Sequence, residues 1–125
     1  MIQTIGVYHV GIPVDDLDRA ERFYTSILGM RAVHRSPGRS SRLKCGDAGV
    51  VLFVRPRPLN RNTLKEDGDA HQAFEIPPEP FDQAVAFLKS EGYYHEAEYN
   101  PRERGRAVYF IDSEGNYLQL HTSDE

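Results

Sequence analysis

Two stretches of strict alternation, at residues 6–14 and 70–76, constrain this chain more than any other feature. In the first, Tyr8, Val10, Ile12 and Val14 interleave with Val7, His9, Gly11 and Pro13. In the second, Gln72, Phe74 and Ile76 interleave with His71, Ala73 and Glu75. A period of two marks strands with two chemically different faces. Each stretch carries a histidine near its start and runs into a segment of helical spacing. After the first, Asp15 and Asp16 offer oxygens to the free N–H groups of a helix start, and Leu17, Ala20, Tyr24, Ile27 and Leu28 form one apolar stripe. Gly29 supplies a left-handed stop. After the second, Pro80 opens a helix with Phe81, Ala84, Val85 and Leu88 as its stripe, and Gly92 closes it.

Three short strands follow each helix. The spacing predicts them at about 31–35, 40–45 and 50–55 in the first half and at 94–99, 107–111 and 116–121 in the second. Pro37-Gly38, Gly46-Asp47 and Ser113-Glu114-Gly115 provide turns. Matching landmarks recur in order at a nearly constant offset: His9 with His71, Ala20-x-x-Phe23 with Ala84-x-x-Phe87, Gly29 with Gly92, and Gly49 with Gly115. The drift is what loop insertions produce in a duplicated unit. The expected fold is therefore α+β, a single domain of two tandem β-α-β-β-β modules forming a cupped mixed sheet with helices outside. Module one spans about 1–56 and module two about 70–125. A connector at about 57–69 carries Pro58, Asn60, Asn62 and Gly68 and has no apolar period.

Composition excludes several function classes. The chain has 125 residues, enough for one core and short for two domains. A net charge of -4 argues against a nucleic-acid partner. The single cysteine, Cys45, allows neither an intrachain disulfide nor a cysteine-rich metal site, and is read as a buried apolar residue. No apolar run approaches a membrane span, and the opening MIQTIGVYHV lacks the plan of a signal peptide. A cytoplasmic protein is the expectation.

Facing decides chemistry. A helix covers one side of a sheet, so strand residues of the opposite parity lie on the open side. Tyr8, Val10, Ile12 and Val14 are the helix-facing set, leaving His9 and Gly11 open. Phe74 and Ile76 leave His71 and Glu75 open, and Leu118 and Leu120 leave Tyr117, Gln119 and His121 open, with Tyr109 joining them. Two imidazoles and an oxygen donor, with positions left over, make a divalent-metal site able to accept a substrate. Either histidine alone reads as a polar residue on a solvated face; their equivalent placement in two modules points to metal. Glu75, the one acidic residue on this face, is the candidate general base or alternative oxygen ligand.

These residues carry a resemblance. The segments Tyr8-His9-Val10-Gly11, Asp16-Leu17-Asp18-Arg19-Ala20-x-x-Phe23-Tyr24, Leu28-Gly29-Met30, His71-Gln72-Ala73-Phe74-Glu75-Ile76 and the run from Val108 to His121 are those of the vicinal oxygen chelate superfamily. The chain resembles this superfamily over nearly its whole length. Glyoxalase I, extradiol dioxygenases, methylmalonyl-CoA epimerase, fosfomycin-resistance thiol transferases and bleomycin-resistance proteins belong to it. The resemblance implies that His9, His71 and Gln119 occupy the metal-ligand positions of a Mn, Fe, Ni, Co or Zn ion. Glutamate is usual where Gln119 stands, and a neutral amide binds a divalent ion more weakly. Phe53 is matched to the fourth ligand of some members and carries no donor, so the usual glyoxalase I becomes less apt.

The second half is most similar to the fosfomycin thiol transferases, which implies that Tyr109 lies beside the substrate. Arg102, Arg104 and Arg106 precede the Tyr109 strand and, at alternate positions, would point the same way; an acidic group fits their fork geometry, and a solvated edge is the simpler reading. Arg104, Arg106 and Tyr117 are the candidate substrate contacts, with Tyr109 and Glu75 the candidate catalytic residues. Arg55, Arg57 and Arg61 could close over a ligand or simply keep the connector soluble. His34 and His95 are read as surface residues, and His121 as a support to the site. The resemblance implies a homodimer with a small-molecule substrate, acting by lyase, dioxygenase or transferase chemistry. The other reading is a metal-free binder of drug-like compounds, of the bleomycin-resistance type.

Overall fold

The computed structural model describes residues 1–56, 71–100 and 104–123, with residues 96–100 described through their backbone alone. The expected connector with Arg57 and Arg61, and also Arg102, lie outside the described residues. The chain divides into two compact units, Met1–Leu59 and Asn60–Glu125. Each holds one four-stranded mixed sheet, so the α+β class and the repeated β-α-β-β-β order are what the structure shows.

In the first unit, β1 (His9–Val14) leads into α1 (Leu17–Arg22), then a π-helical turn at Phe23–Ile27, then β2 (Arg31–Ser36), β3 (Ser40–Cys45) and β4 (Ala48–Val54). The sheet order is β1-β4-β3-β2, with β1 parallel to β4 and the rest antiparallel. Asp16 caps α1, its Oδ1 accepting from the Arg19 N–H at 3.0 Å. The helix then widens: the Leu28 N–H reaches the Phe23 carbonyl at 3.3 Å, and the Thr25 hydroxyl donates back to the Glu21 carbonyl at 2.8 Å. Such back-bonding by a threonine loosens the local ladder. As a result Phe23, absent from the expected stripe, is buried with Tyr24, while Ile27 and Leu28 are only half-buried. Gly29 ends the segment at φ 71, as expected of a left-handed cap.

Tyr8 departs from the expected core set. It precedes β1, its ring is 80% exposed, and the alternation that would bury it applies only once the strand has begun at His9. Ile12, Val14, Leu17, Ala20, Phe23, Tyr24, Leu43, Val50 and Leu52 form the core of this unit. Burial of each large apolar side chain contributes roughly 1.5–3 kcal/mol.

In the second unit, β5 (Gln72–Glu75) leads to α2 (Phe81–Ser90), β6 (Tyr94–Asn100), β7 (Gly105–Ile111) and β8 (Tyr117–Ser123), in sheet order β5-β8-β7-β6. Phe81 and Leu88 of α2 are buried, as are Val108, Phe110, Leu118 and Leu120. Pro80 is the residue before the first turn rather than its first member. The β7–β8 hairpin is tied by Asp112: its Oδ1 accepts from the N–H groups of Glu114 and Asn116, both at 2.8 Å. Gly115 completes the turn at φ 87. Gly105 is required for a different reason. A Cβ there would lie 1.9 Å from the Thr122 carbonyl oxygen, so the β7 and β8 backbones could not close.

Candidate functional site

Strand register assembles the open face of the second unit. Gln119 of β8 stands between Ala73 of β5 and Tyr109 of β7. His71, just before β5, continues the same parity and meets Tyr117 and Tyr109, with ring centroids 5.8 and 6.2 Å apart. The two tyrosine rings stack at 5.5 Å and 25°. His71, Tyr109, Tyr117 and Gln119 are thereby brought together on one face. Gln119 is 1% exposed, whereas the His71 side chain is open to solvent.

Next along the same strands, Glu75 pairs with His121. The Glu75 carboxylate accepts from the Ser123 hydroxyl at 3.0 Å and lies 3.4 Å from His121 Nδ1. Glu75, His121 and Gln119 line a shallow groove of about 350 Å3 together with Ala73 and Phe74. His121 therefore touches the candidate base directly.

One member of this face was not singled out from sequence. The His95 ring lies 5.8 Å from that of Tyr117. A register shift between Tyr94 and Glu96 marks a bulge at His95. Tyr94, one residue earlier, packs its ring under Lys89 of α2, at 4.6 Å. That contact puts Tyr94 on the helix side, and plain alternation from it would have found His95.

Arg106 is not on this face. It shares the parity of Val108 and Phe110, its guanidinium stacks over the Phe81 ring at 4.3 Å and it pairs with Asp82 at 2.9 Å. Strand alternation sends it to the helix side, opposite Tyr109. Strand alternation does not govern Arg104, which is expected from the sequence to project like Arg106. Arg104 is not in the strand, but occupies the turn before it at φ 54.

In the first unit the open face carries His9, Gly11, Gly49 and Phe53. His9 stands opposite Gly49, and a Cβ on Gly49 would lie 3.1 Å from the His9 Cβ and 3.6 Å from Arg42 Nη1. Arg42 of β3 thus sits beside His9, with its guanidinium also over the Tyr8 ring at 5.8 Å. Register pairs Gly11 with Val51 as it pairs Ala73 with Gln119. The position matching Gln119 is thus Val51, not Phe53, and neither side chain has a donor atom. Cys45 is half-buried, and burial pushes its thiol pKa up, which keeps it protonated and a poor ligand.

The donor chemistry can be tested against a divalent ion. An imidazole at His71 and an amide oxygen at Gln119 on one face suit such an ion but leave its shell incomplete. Among the described residues no group of three or more His, Cys, Asp and Glu side chains is gathered to hold a metal.

Two β-α-β-β-β units, with a histidine at or just before the first strand of each and an amide donor on the last strand of the second, define a class of paired-module proteins. Residues 6–120 match the Glyoxalase/Bleomycin resistance protein/Dioxygenase superfamily, and the chain belongs to it. It is 25% identical over 118 residues to the fosfomycin resistance protein FosX of Listeria monocytogenes, covering 93% of this chain and 88% of that one. Its fold is like that of a lactoylglutathione lyase from Agrobacterium tumefaciens, with TM-score 0.75 and 23% identity over 94% of this chain and 92% of that one. It is equally like a variant of the Listeria FosX complexed with Mn(II) and 1S,2S-dihydroxypropylphosphonic acid. There the TM-score is 0.75 at 18% identity, over 98% and 94% of the two chains. No helix among the described residues is long and apolar enough to cross a membrane.

Proposed function

We propose that this protein is a divalent-metal-dependent enzyme of its superfamily acting on a small, oxygen-rich substrate, working in the cytoplasm as a homodimer. The observation that carries the reading is the second unit's open face, where His71 and Gln119 flank a pair of stacked tyrosines. His71 and Gln119 would hold the ion, and His9 is the further donor that the superfamily pattern adds. A bound divalent ion supplies Lewis-acid stabilisation to neighbouring substrate oxygens. Tyr109 donates a hydrogen bond to an oxygen on which charge develops, and its stack with Tyr117 fixes the ring so that little reorganisation is needed. Glu75, aligned by Ser123 and His121, accepts a proton. Tyr117 walls the substrate, and Arg104 at the β7 turn offers a cation to an acidic group. Arg106, held by Asp82, has no part in this scheme.

The relation to FosX makes fosfomycin the first substrate to try, with Mn(II) as the first metal. Metal content after purification without a histidine tag tests the reading. Near-stoichiometric metal in the native protein, lost in His71→Ala, is the expected result. A metal-free native protein would overturn it. The second reading, a metal-free binder of a drug-like compound, is favoured by the neutral amide of Gln119. In that case Gln119→Glu alone would acquire metal.

A further inference from the structure

The open face of the first unit leads from His9 along β4 into a groove of about 610 Å3 at the far end of the sheet. Its polar wall is Ser36, Arg39 and Ser40, and its apolar wall is Phe53, Val54 and Pro56. Ser36 and Ser40 face each other across the β2–β3 ladder, and Ser40 pairs in turn with Phe53. Gly38, at φ 71, makes the tight turn next to Arg39, and both line the groove. The two arginines of the groove are in different states. Arg55 is spent: its Nε pairs with Asp15 at 3.0 Å, its Nη2 donates to the Pro13 carbonyl at 2.7 Å, and its side chain is 6% exposed. Arg39 is exposed, and among the described residues no carboxylate pairs with it.

Asp15 reaches the groove only as the partner of Arg55. Asp18 and Glu21 are engaged by Arg35, and the Glu21 carboxylate also accepts from the buried Ser41 hydroxyl at 2.6 Å. Those groups lie on the helix side, opposite in parity to Ser40 and Arg42. The open side presents Arg42 beside His9, in a recess that Asp47 also lines, and Arg39 with Phe53 in the groove. Phe53 reaches inward because Gly11 has no Cβ; one placed there would meet the ring at 3.2 Å.

We propose that this groove binds the anionic group of a small-molecule ligand, a carboxylate, phosphonate or phosphate that carries an apolar substituent. Arg39 supplies the charge and a two-pronged donor geometry, Ser36 and Ser40 supply hydroxyl donors, and Phe53 covers the substituent. The groove lies about 13 Å along the strand from His9, the rise of the residues between Gly49 and Phe53. A ligand touching both is longer than a three-carbon phosphonate. The proposal goes beyond the metal chemistry proposed above and stands without it.

Titration of metal-free protein with inorganic phosphate and with phenylphosphonate, followed by amide chemical shifts, tests it. The expected result is a saturable shift confined to the amides of residues 36, 38–40 and 53–55, with phenylphosphonate binding more tightly than phosphate. Arg39→Ala should weaken both by roughly tenfold or more, the range for a charge-assisted hydrogen bond. Arg39→Gln, which keeps the shape of the side chain, should weaken them as well. His71→Ala should change neither, so a failed metal site and a failed anion site are told apart. Phe53→Ala should remove the advantage of phenylphosphonate. Non-saturable shifts, or equal affinity in the native protein and both Arg39 variants, would overturn the site. Equal affinity for the two probes would overturn the assignment of an apolar substituent.

Discussion

At the scale of single residues, Gln119 and Gly105 carry the sharpest consequences. Gln119 is buried at the centre of the second unit's open face, between Ala73 and Tyr109. A carboxylate at this site without a cation would be desolvated and unfavourable. Gln119→Glu is therefore expected to lower the thermal midpoint of metal-free protein and to recover it when Mn(II) is added. The native protein should show a smaller rise on the same addition. A midpoint unmoved by metal in the variant would remove Gln119 from the ligand set. Gly105 is a matter of backbone approach. Gly105→Ala drives a methyl into the Thr122 carbonyl, which only separation of β7 and β8 can relieve. A loss of about 2 kcal/mol or more is expected in urea denaturation.

At the scale of elements, caps and parity matter most. Asp16 satisfies one of the free N–H groups of a helix only six residues long before it widens. Asp16→Ala is expected to cost about 1 kcal/mol in the same denaturation assay, whereas Asp15→Ala acts instead through the loss of its pair with Arg55. The strands explain why some of the site was legible beforehand and some was not. His9, His71, Tyr109, Tyr117 and Gln119 were placed by alternation, because each lies within or directly beside a regular strand with a buried opposite face. Arg106 is read on the wrong face because the spacing begins the strand at Ala107, and only parity with Tyr109, not with the neighbouring arginines, gives its side. His95 reads from the sequence as a surface residue, although plain alternation from Tyr94 sends it to this face. The expected helical stripe likewise missed Phe23, since the π-helical turn alters the angular step between Arg22 and Leu28.

At the scale of the whole molecule, each unit places a parallel pair, β1 with β4 or β5 with β8, at one edge of its sheet and an antiparallel hairpin at the other. The inner strands β3 and β4, and β7 and β8, are bonded on both sides. Their amides are expected to exchange with solvent most slowly, and those of residues 1–8 fastest, in a hydrogen-exchange experiment. Uniform protection across β2 and β4 would contradict the strand order. The repeat, the α+β class and the facing of the histidines were determined by the sequence alone, because a period of two, a period near 3.6 and well-placed glycines are local properties of the chain. Register, the stacking of Tyr109 on Tyr117 beside His71, the capture of Arg106 by Asp82 and the groove beneath Arg39 were decided only by tertiary structure. Those depend on which residues of distant strands come to lie side by side, and hydrogen-bond register and packing, not local propensity, make that choice.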